Sequence, residues 1–156
     1  MKKDITLKMV STRYEVDAAT SRGKKIEVDT EPQVIELFTE ATMEIKDGKV
    51  DICYDESATS GMEGSTTHLI FELEKPDTLT MYRAGTAGTT MIFSPGLRHT
   101  CTYHTPVMPF KMELVTRTLV NNLLTDGTLD IDYTTALASS GHARTFMQVT
   151  IFEDKE

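Results

Sequence analysis

Arg83 is the residue whose type and position most strongly suggest chemistry. It shares an alternating phase with Leu79 and Met81, which points its guanidinium toward the apolar side of a strand. The other positions assigned to this phase carry no Asp or Glu, so the guanidinium must find carbonyls, tyrosine hydroxyls, water or a bound anion. Arg83 therefore predicts an anchor for a ligand carboxylate or phosphate. The alternative is that Arg83 lies at the rim of the fold, because Gly85 two residues later ends the strand. There its guanidinium would bond turn carbonyls or reach water.

Three tyrosines and six methionines share this inward phase. Tyr54, Tyr103 and Tyr133 lie on three different segments, where they could ring a pocket with apolar faces and single hydroxyls. The alternative is that they are core tyrosines with hydroxyls satisfied at the rim. The methionines predict either an adaptable, ligand-accepting interior or a packed core, and they are Met9, Met43, Met81, Met91, Met112 and Met147.

His99, Cys101 and His104 have the residue types of a zinc or copper site. Strand parity argues against a metal, because His104 falls on the opposite face from His99 and Cys101. Nucleophilic catalysis by Cys101 with His99 as base is also disfavoured, since same-face neighbours lie ~6.5–7 Å apart along a strand. We expect no metal and no cofactor, and we retain His99 as a ligand-binding candidate with Arg83 and the tyrosines.

The element that must position these residues is a strand, because apolar and polar residues alternate with a period of two along most of the chain. Asp47-Gly48 and Asp126-Gly127 are hairpin signals, and Lys75-Pro76-Asp77 and Ser94-Pro95-Gly96 indicate turns. The segments that alternate number about ten, at 5–10, 35–45, 50–55, 69–74, 79–83, 91–93, 99–103, 110–124, 129–133 and 147–151.

Short connections between many strands favour an up-and-down meander that closes on itself. We therefore predict an all-β fold, a single antiparallel barrel of about eight to ten strands over residues 1–156, with a two-sheet sandwich as the alternative. Two longer loops are predicted at 17–32 and 56–64, the first as a lid over the barrel.

Composition and charge exclude several classes of partner. The net charge is −8 and the basic residues form no stripe, so we expect neither nucleic acid nor an anionic membrane surface as partner. The two cysteines suggest no disulfide framework. The N-terminal residues show no apolar run typical of a signal peptide, so we expect a cytoplasmic protein.

Several segments in the second half resemble the YwiB-like family of bacterial proteins. They are Leu-Thr-Met-Tyr-Arg-Ala-Gly at 79–85, Met-Ile-Phe at 91–93, Tyr-His-Thr-Pro at 103–106, Glu-Leu-Val-Thr-Arg-Thr-Leu at 113–119 and Asp-Ile-Asp-Tyr at 130–133. The resemblance implies a calycin- or lipocalin-type barrel, and barrels of this class often bind small apolar or amphipathic molecules. The chain departs from the family at Val107-Met108-Pro109, where a Gly-containing turn is the usual pattern.

Three functions remain open from the sequence. The first is a barrel that binds a small amphipathic or anionic molecule, which requires an internal cavity of at least ~300 Å³. The second is an interaction protein with a solid core, acting as a homodimer or through an outward patch such as Phe38, Ile70 and Val115. The third and least favoured is an enzyme using His99, Cys101 or Tyr103, since no acid–base pair is visible.

Overall fold

The computed structural model of the chain describes residues 2–16, 32–57, 63–86, 88–104, 108–137 and 141–153. Among these residues there is no helix of a length and apolar character suited to crossing a membrane. The ten strands are β1 (Lys2–Val16), β2 (Gln33–Lys46), β3 (Lys49–Asp55), β4 (Ser65–Glu72), β5 (Lys75–Gly85), β6 (Thr89–Phe93), β7 (Arg98–His104), β8 (Pro109–Asn122), β9 (Thr128–Leu137) and β10 (Gly141–Glu153).

All ten strands belong to one antiparallel sheet, in the order β6-β5-β4-β3-β2-β1-β10-β9-β8-β7. The first and last strands pair with each other, from Ile5 opposite Glu153 to Val16 opposite His142. This pairing joins the two halves of the meander into a nearly closed barrel. The predicted up-and-down barrel is confirmed, and the sandwich is excluded because a single sheet contains every described strand.

The barrel has a seam between β6 and β7. Over the described residues these strands form no ladder, and an isolated bridge between Gly88 and His104 joins them. The Gly88 N–H donates to the His104 carbonyl at 2.9 Å, and the His104 N–H donates to the Gly88 carbonyl at 2.7 Å. The sheet therefore closes through β1 and β10, and its two free edges face each other at the seam.

Tight turns connect strands at one end of the barrel, which we call the closed end. Asp47 and Gly48 have φ values of 53° and 76°, as the predicted Asp-Gly hairpin requires. The turn predicted at 75–77 instead lies at residues 73–74, and Pro76 stands near the start of β5, where a missing N–H is tolerated. At the opposite, open end, β1 finishes and β2 begins. Of the lid predicted at 17–32, residues 17–31 lie outside the described residues, and so do residues 58–62 of the loop predicted at 56–64.

Apolar side chains from every part of the sheet fill the interior toward the closed end. Each fully buried Leu, Ile or Phe contributes roughly 1.5–3 kcal/mol, so this layer is a main source of stability. Its members include Ile5, Val50, Ile52, Leu69, Phe71, Leu79, Phe93, Leu119, Leu123, Leu129 and Val149.

Strand β8 contains a bulge. The pairing of β8 with β9 shifts register between Thr116 and Thr118. Arg117 occupies the bulge and stays on the outer face, with Nε 3.8 Å from Asp132 Oδ2. The bulge lets both Thr116 and Leu119 point inward, so the alternation resumes in a new phase.

Candidate functional site

The open end of the barrel encloses a cavity of about 330 Å³. This volume reaches the ~300 Å³ expected of a small-molecule pocket. Five of the six inward methionines line it, whereas Met43 packs in the core away from it. The five are Met9, Met81, Met91, Met112 and Met147.

A buried ion pair forms one wall of this cavity. Arg83 is 7% exposed and Glu56 is 6% exposed. Arg83 Nη2 lies 3.1 Å from Glu56 Oε2, and Arg83 Nε–H donates to Thr67 Oγ1 at 3.0 Å. The Thr67 hydroxyl in turn donates to Glu56 Oε2 at 2.6 Å. The three side chains form one connected network, in which each charge offsets the desolvation of the other.

Glu56 corrects the sequence interpretation of Arg83. The expectation that no carboxylate accompanies Arg83 is wrong, because Glu56, the first residue after β3, pairs with it. The Glu56 N–H donates to the Ser65 carbonyl at 2.8 Å, which continues the β3–β4 pairing beyond Asp55. Glu56 therefore keeps the inward phase of Ile52 and Tyr54, and extending that alternation by one step would have found it.

Tyr54 and Tyr133 both line the cavity, as their phase predicts. The Tyr54 hydroxyl donates to Met9 Sδ at 3.9 Å. Burial and the nearby Glu56 charge raise the pKa of Tyr54 well above its ordinary value, although Arg83 partly offsets them. Burial also raises the pKa of Tyr133, partly offset by a hydrogen bond with Thr145. Both phenols therefore remain neutral donors at physiological pH.

Arg13 supplies a second cation to the cavity, and the sequence analysis did not single it out. It follows Met9 and Ser11 on the inward phase of β1, which was the available signal. The Arg13 charge acts on the Tyr133 phenol together with the Arg83 charge. In the described part of the chain Arg13 forms no ion pair, and its side chain is exposed. An anionic group at the mouth would therefore meet a guanidinium that no described carboxylate neutralises.

Polar groups surround Arg13 at this mouth. Gln33 of β2 and Thr145 of β10 are its direct cross-strand partners, and Thr135 of β9 lines the same region. The cavity lining thus combines these polar groups with five methionines. Such a mixed lining suits a molecule with one polar end and one apolar end.

His99 lies at the seam and does not line the methionine cavity. Its Nε2–H donates to the Thr90 carbonyl at 3.2 Å, which satisfies an acceptor on the free edge of β6. Cys101 is buried nearby, and burial raises the pKa of its thiol, an effect that the neighbouring Thr89 partly offsets. The Tyr103 side chain lies outside the described residues. Within the described ranges, no group of three or more acidic, His or Cys side chains could hold a metal ion.

Comparison with known proteins places this geometry in a family. Residues 20–149 match the family described as a domain of unknown function, DUF1934. The chain belongs to the DUF1934 family. Its fold is similar to the crystal structure of the ywiB protein from Bacillus subtilis, with a TM-score of 0.77 and 19% identity over 99% of this chain and 94% of that chain. No curated protein matches the chain.

The DUF1934 match and the ywiB likeness confirm the YwiB-like resemblance seen in the sequence. At 19% identity the structural likeness shows the fold alone. The DUF1934 description assigns no activity, and a fold does not determine a function. The function of this DUF1934 chain must therefore be argued from Arg13, the Arg83–Glu56 pair and the cavity between them.

Proposed function

We propose that the open end binds a small anionic amphiphile, with its head group at the mouth beside Arg13 and its tail among the methionines. The observation that carries this proposal is the cavity of about 330 Å³, whose lining combines Arg13 and other polar groups with five methionines. Methionine is flexible and polarisable, so such a lining adapts to tails of different shape. We infer a calycin-like use of the barrel, in which the ligand enters through one end.

The charges favour Arg13 over Arg83 as the anionic anchor. Arg83 is already neutralised by Glu56 at 3.1 Å, so an incoming carboxylate would compete with a buried partner. Arg13 has no such partner among the described side chains. The neutral phenols of Tyr54 and Tyr133 supply hydroxyls to the same cavity.

Native mass spectrometry of the purified protein tests the proposal first, because a co-purifying amphiphile would appear as added mass. A defined probe is then 1-anilinonaphthalene-8-sulfonate, whose fluorescence rises in an apolar site. We expect octanoate to displace it and neutral octan-1-ol to displace it less well. Absence of both a co-purifying ligand and saturable probe binding contradicts the proposal.

A second candidate is a homodimer formed through an outer apolar patch. Phe38 of β2 is 67% exposed and Phe152 of β10 is 47% exposed, and their ring centroids lie 6.3 Å apart. Of the predicted patch residues, Ile70 and Val115 are only half-exposed. Sedimentation velocity tests this candidate: a dimer that Phe38→Ser converts to monomer supports it, and a monomeric unmodified protein contradicts it.

A further inference from the structure

Three side chains on the outer face of the barrel are arranged as a nucleophile, a base and an orienting acid. Cys53 of β3 and His68 of β4 are direct cross-strand partners. The Cys53 Sγ lies 3.7 Å from His68 Nε2, and His68 Nδ1 lies 2.9 Å from Asp51 Oδ1. This cluster is separate from the cavity, because Asp51, Cys53 and His68 occupy the outward phase of their strands.

The two contacts determine which imidazole nitrogen carries the hydrogen. The Asp51 carboxylate can only accept, so His68 Nδ1–H is the donor, and Nε2 of the neutral ring is left as an acceptor for the Cys53 S–H. The Tyr82 ring lies beside the imidazole, with centroids 6.0 Å apart. Asp51 and Cys53 contact opposite ends of His68, so the three groups do not converge on one point where a metal would bind.

We propose that Cys53 is a reactive thiol, with His68 as its base and Asp51 as the positioning residue, that forms mixed disulfides with small cationic disulfides. The Cys53 sulfur attacks one sulfur of the disulfide R–S–S–R, and its proton passes to His68 Nε2. The S–S bond breaks, and the departing R–S⁻ takes the proton from His68 and leaves as R–SH. The disulfide is the oxidant and Cys53 is oxidised, so the step is balanced.

The surroundings of Cys53 make the base His68 essential to this chemistry. Burial and the charges of Asp51 and Asp55 raise the pKa of the thiol, partly offset by Lys2. The proton therefore needs a base to leave at neutral pH, and the thiolate once formed is strongly nucleophilic. Acyl transfer needs hydrogen-bond donors that stabilise an oxyanion. Disulfide exchange needs none, because the negative charge leaves on sulfur.

The charge beside Cys53 selects the partner. A hollow of about 420 Å³ borders the thiol, and three carboxylates line it, from Asp4, Glu40 and Asp55. A cationic disulfide is attracted to this hollow and an anionic one is repelled. Cys101 is buried on β7, within the sheet region that forms the seam, so it is not placed to resolve a mixed disulfide at Cys53.

The test compares cystamine with 3,3′-dithiodipropionate, two disulfides of similar size and opposite charge. Intact mass follows the mixed disulfide, and peptide mapping locates it. We expect modification at Cys53, faster with cystamine by about tenfold at low salt, with the ratio falling as salt is added. We expect His68→Gln to slow the cystamine reaction by about tenfold or more. The effect should stay below the ~100-fold that an enclosed catalytic base supplies.

The matched control is His142→Gln, the same substitution at an exposed histidine on β10, which should leave the rate unchanged. A second measurement needs no variant at His68. Cys53 should react faster in the folded protein than in the urea-unfolded chain. A partly buried thiol without a base would instead react more slowly in the folded protein than in the unfolded chain. The proposal is overturned if folded His68→Gln reacts at the wild-type rate. It is equally overturned if Cys53 reacts faster after unfolding, or if the modification maps to Cys101.

Discussion

The two ends of the barrel are built from the same alternating strands, but they bury different chemistry. Toward the closed end, Phe93 and Leu129 have no exposed surface and pack among other buried apolar side chains. Toward the open end, the same inward phase carries methionines and the Glu56–Arg83 pair around a cavity of about 330 Å³. The comparison teaches that one end supplies stability by packing, whereas the other retains space and charge.

Breaking the buried ion pair is expected to have the largest effect on this comparison. Arg83→Met leaves the Glu56 carboxylate buried without its cation, which costs roughly 3–5 kcal/mol of unfolding free energy. Urea denaturation measures the loss. The matched control is Arg144→Met, which removes the Arg144–Asp132 pair from the outer face and should cost about 1 kcal/mol or less.

The double variant Arg83→Met/Glu56→Gln checks the cause. Removing both charges should recover a large part of the stability lost in Arg83→Met alone, because no uncompensated charge remains. If Arg144→Met lowers the unfolding free energy as much as Arg83→Met does, the larger contribution assigned to the buried pair is contradicted.

Matched truncations at the two ends should come next in magnitude. Leu129→Ala opens a hole in the closed end and should cost about 3 kcal/mol. Met112→Ala enlarges a space that already exists beside a half-buried side chain, and should cost about 1 kcal/mol. Equal losses in urea denaturation would mean that the two ends are packed alike.

Alkaline pH tests the neutral phenols at the open end. The folded-state pKa values of Tyr54 and Tyr133 are raised, so above about pH 10 the unfolded chain loses these protons first. Their contribution to stability is therefore complete below pH 10 and falls as pH rises, by up to about 1.4 kcal/mol per pH unit for each tyrosine.

Tyr54→Phe and Tyr133→Phe should each flatten this decline in the unfolding free energy between pH 10 and 11, as measured by urea denaturation. If Tyr54→Phe and Tyr133→Phe both lose unfolding free energy with pH as steeply as the wild type, the burial of these phenols is contradicted.

The smallest expected effect concerns the mouth. Arg13→Gln should weaken octanoate binding by about fivefold, as expected for one solvent-exposed charge contact, and should leave octan-1-ol binding unchanged. Isothermal titration calorimetry measures both affinities. An equal loss for both ligands would show that Arg13 acts through structure and not through charge.

The sequence alone predicts the barrel because alternation is a local property that repeats in ten segments. It also predicts that Tyr54, Tyr133 and Arg83 share one interior. It does not predict the seam, since the choice of which strands remain unpaired depends on closure of the whole sheet. The register shift at Thr116 is hidden for the same reason.

The two side-chain clusters were missed for different reasons. Glu56 follows Asp55, and the polar residues after it resemble a loop, which hides the continuation of the inward phase of β3 to Glu56. The contact between Cys53 and His68 depends on the β3–β4 register, which spacing along the chain does not reveal.

Methionine-methyl NMR tests the difference between the two ends most directly. With methyl-¹³C methionine, octanoate should shift the signals of the five cavity methionines along one saturable curve. Met43 is 2% exposed and lies outside the cavity, so it serves as the internal control and should not move. Octanoate that shifts none of the five, or shifts Met43 equally, would contradict a ligand-accepting cavity at the open end.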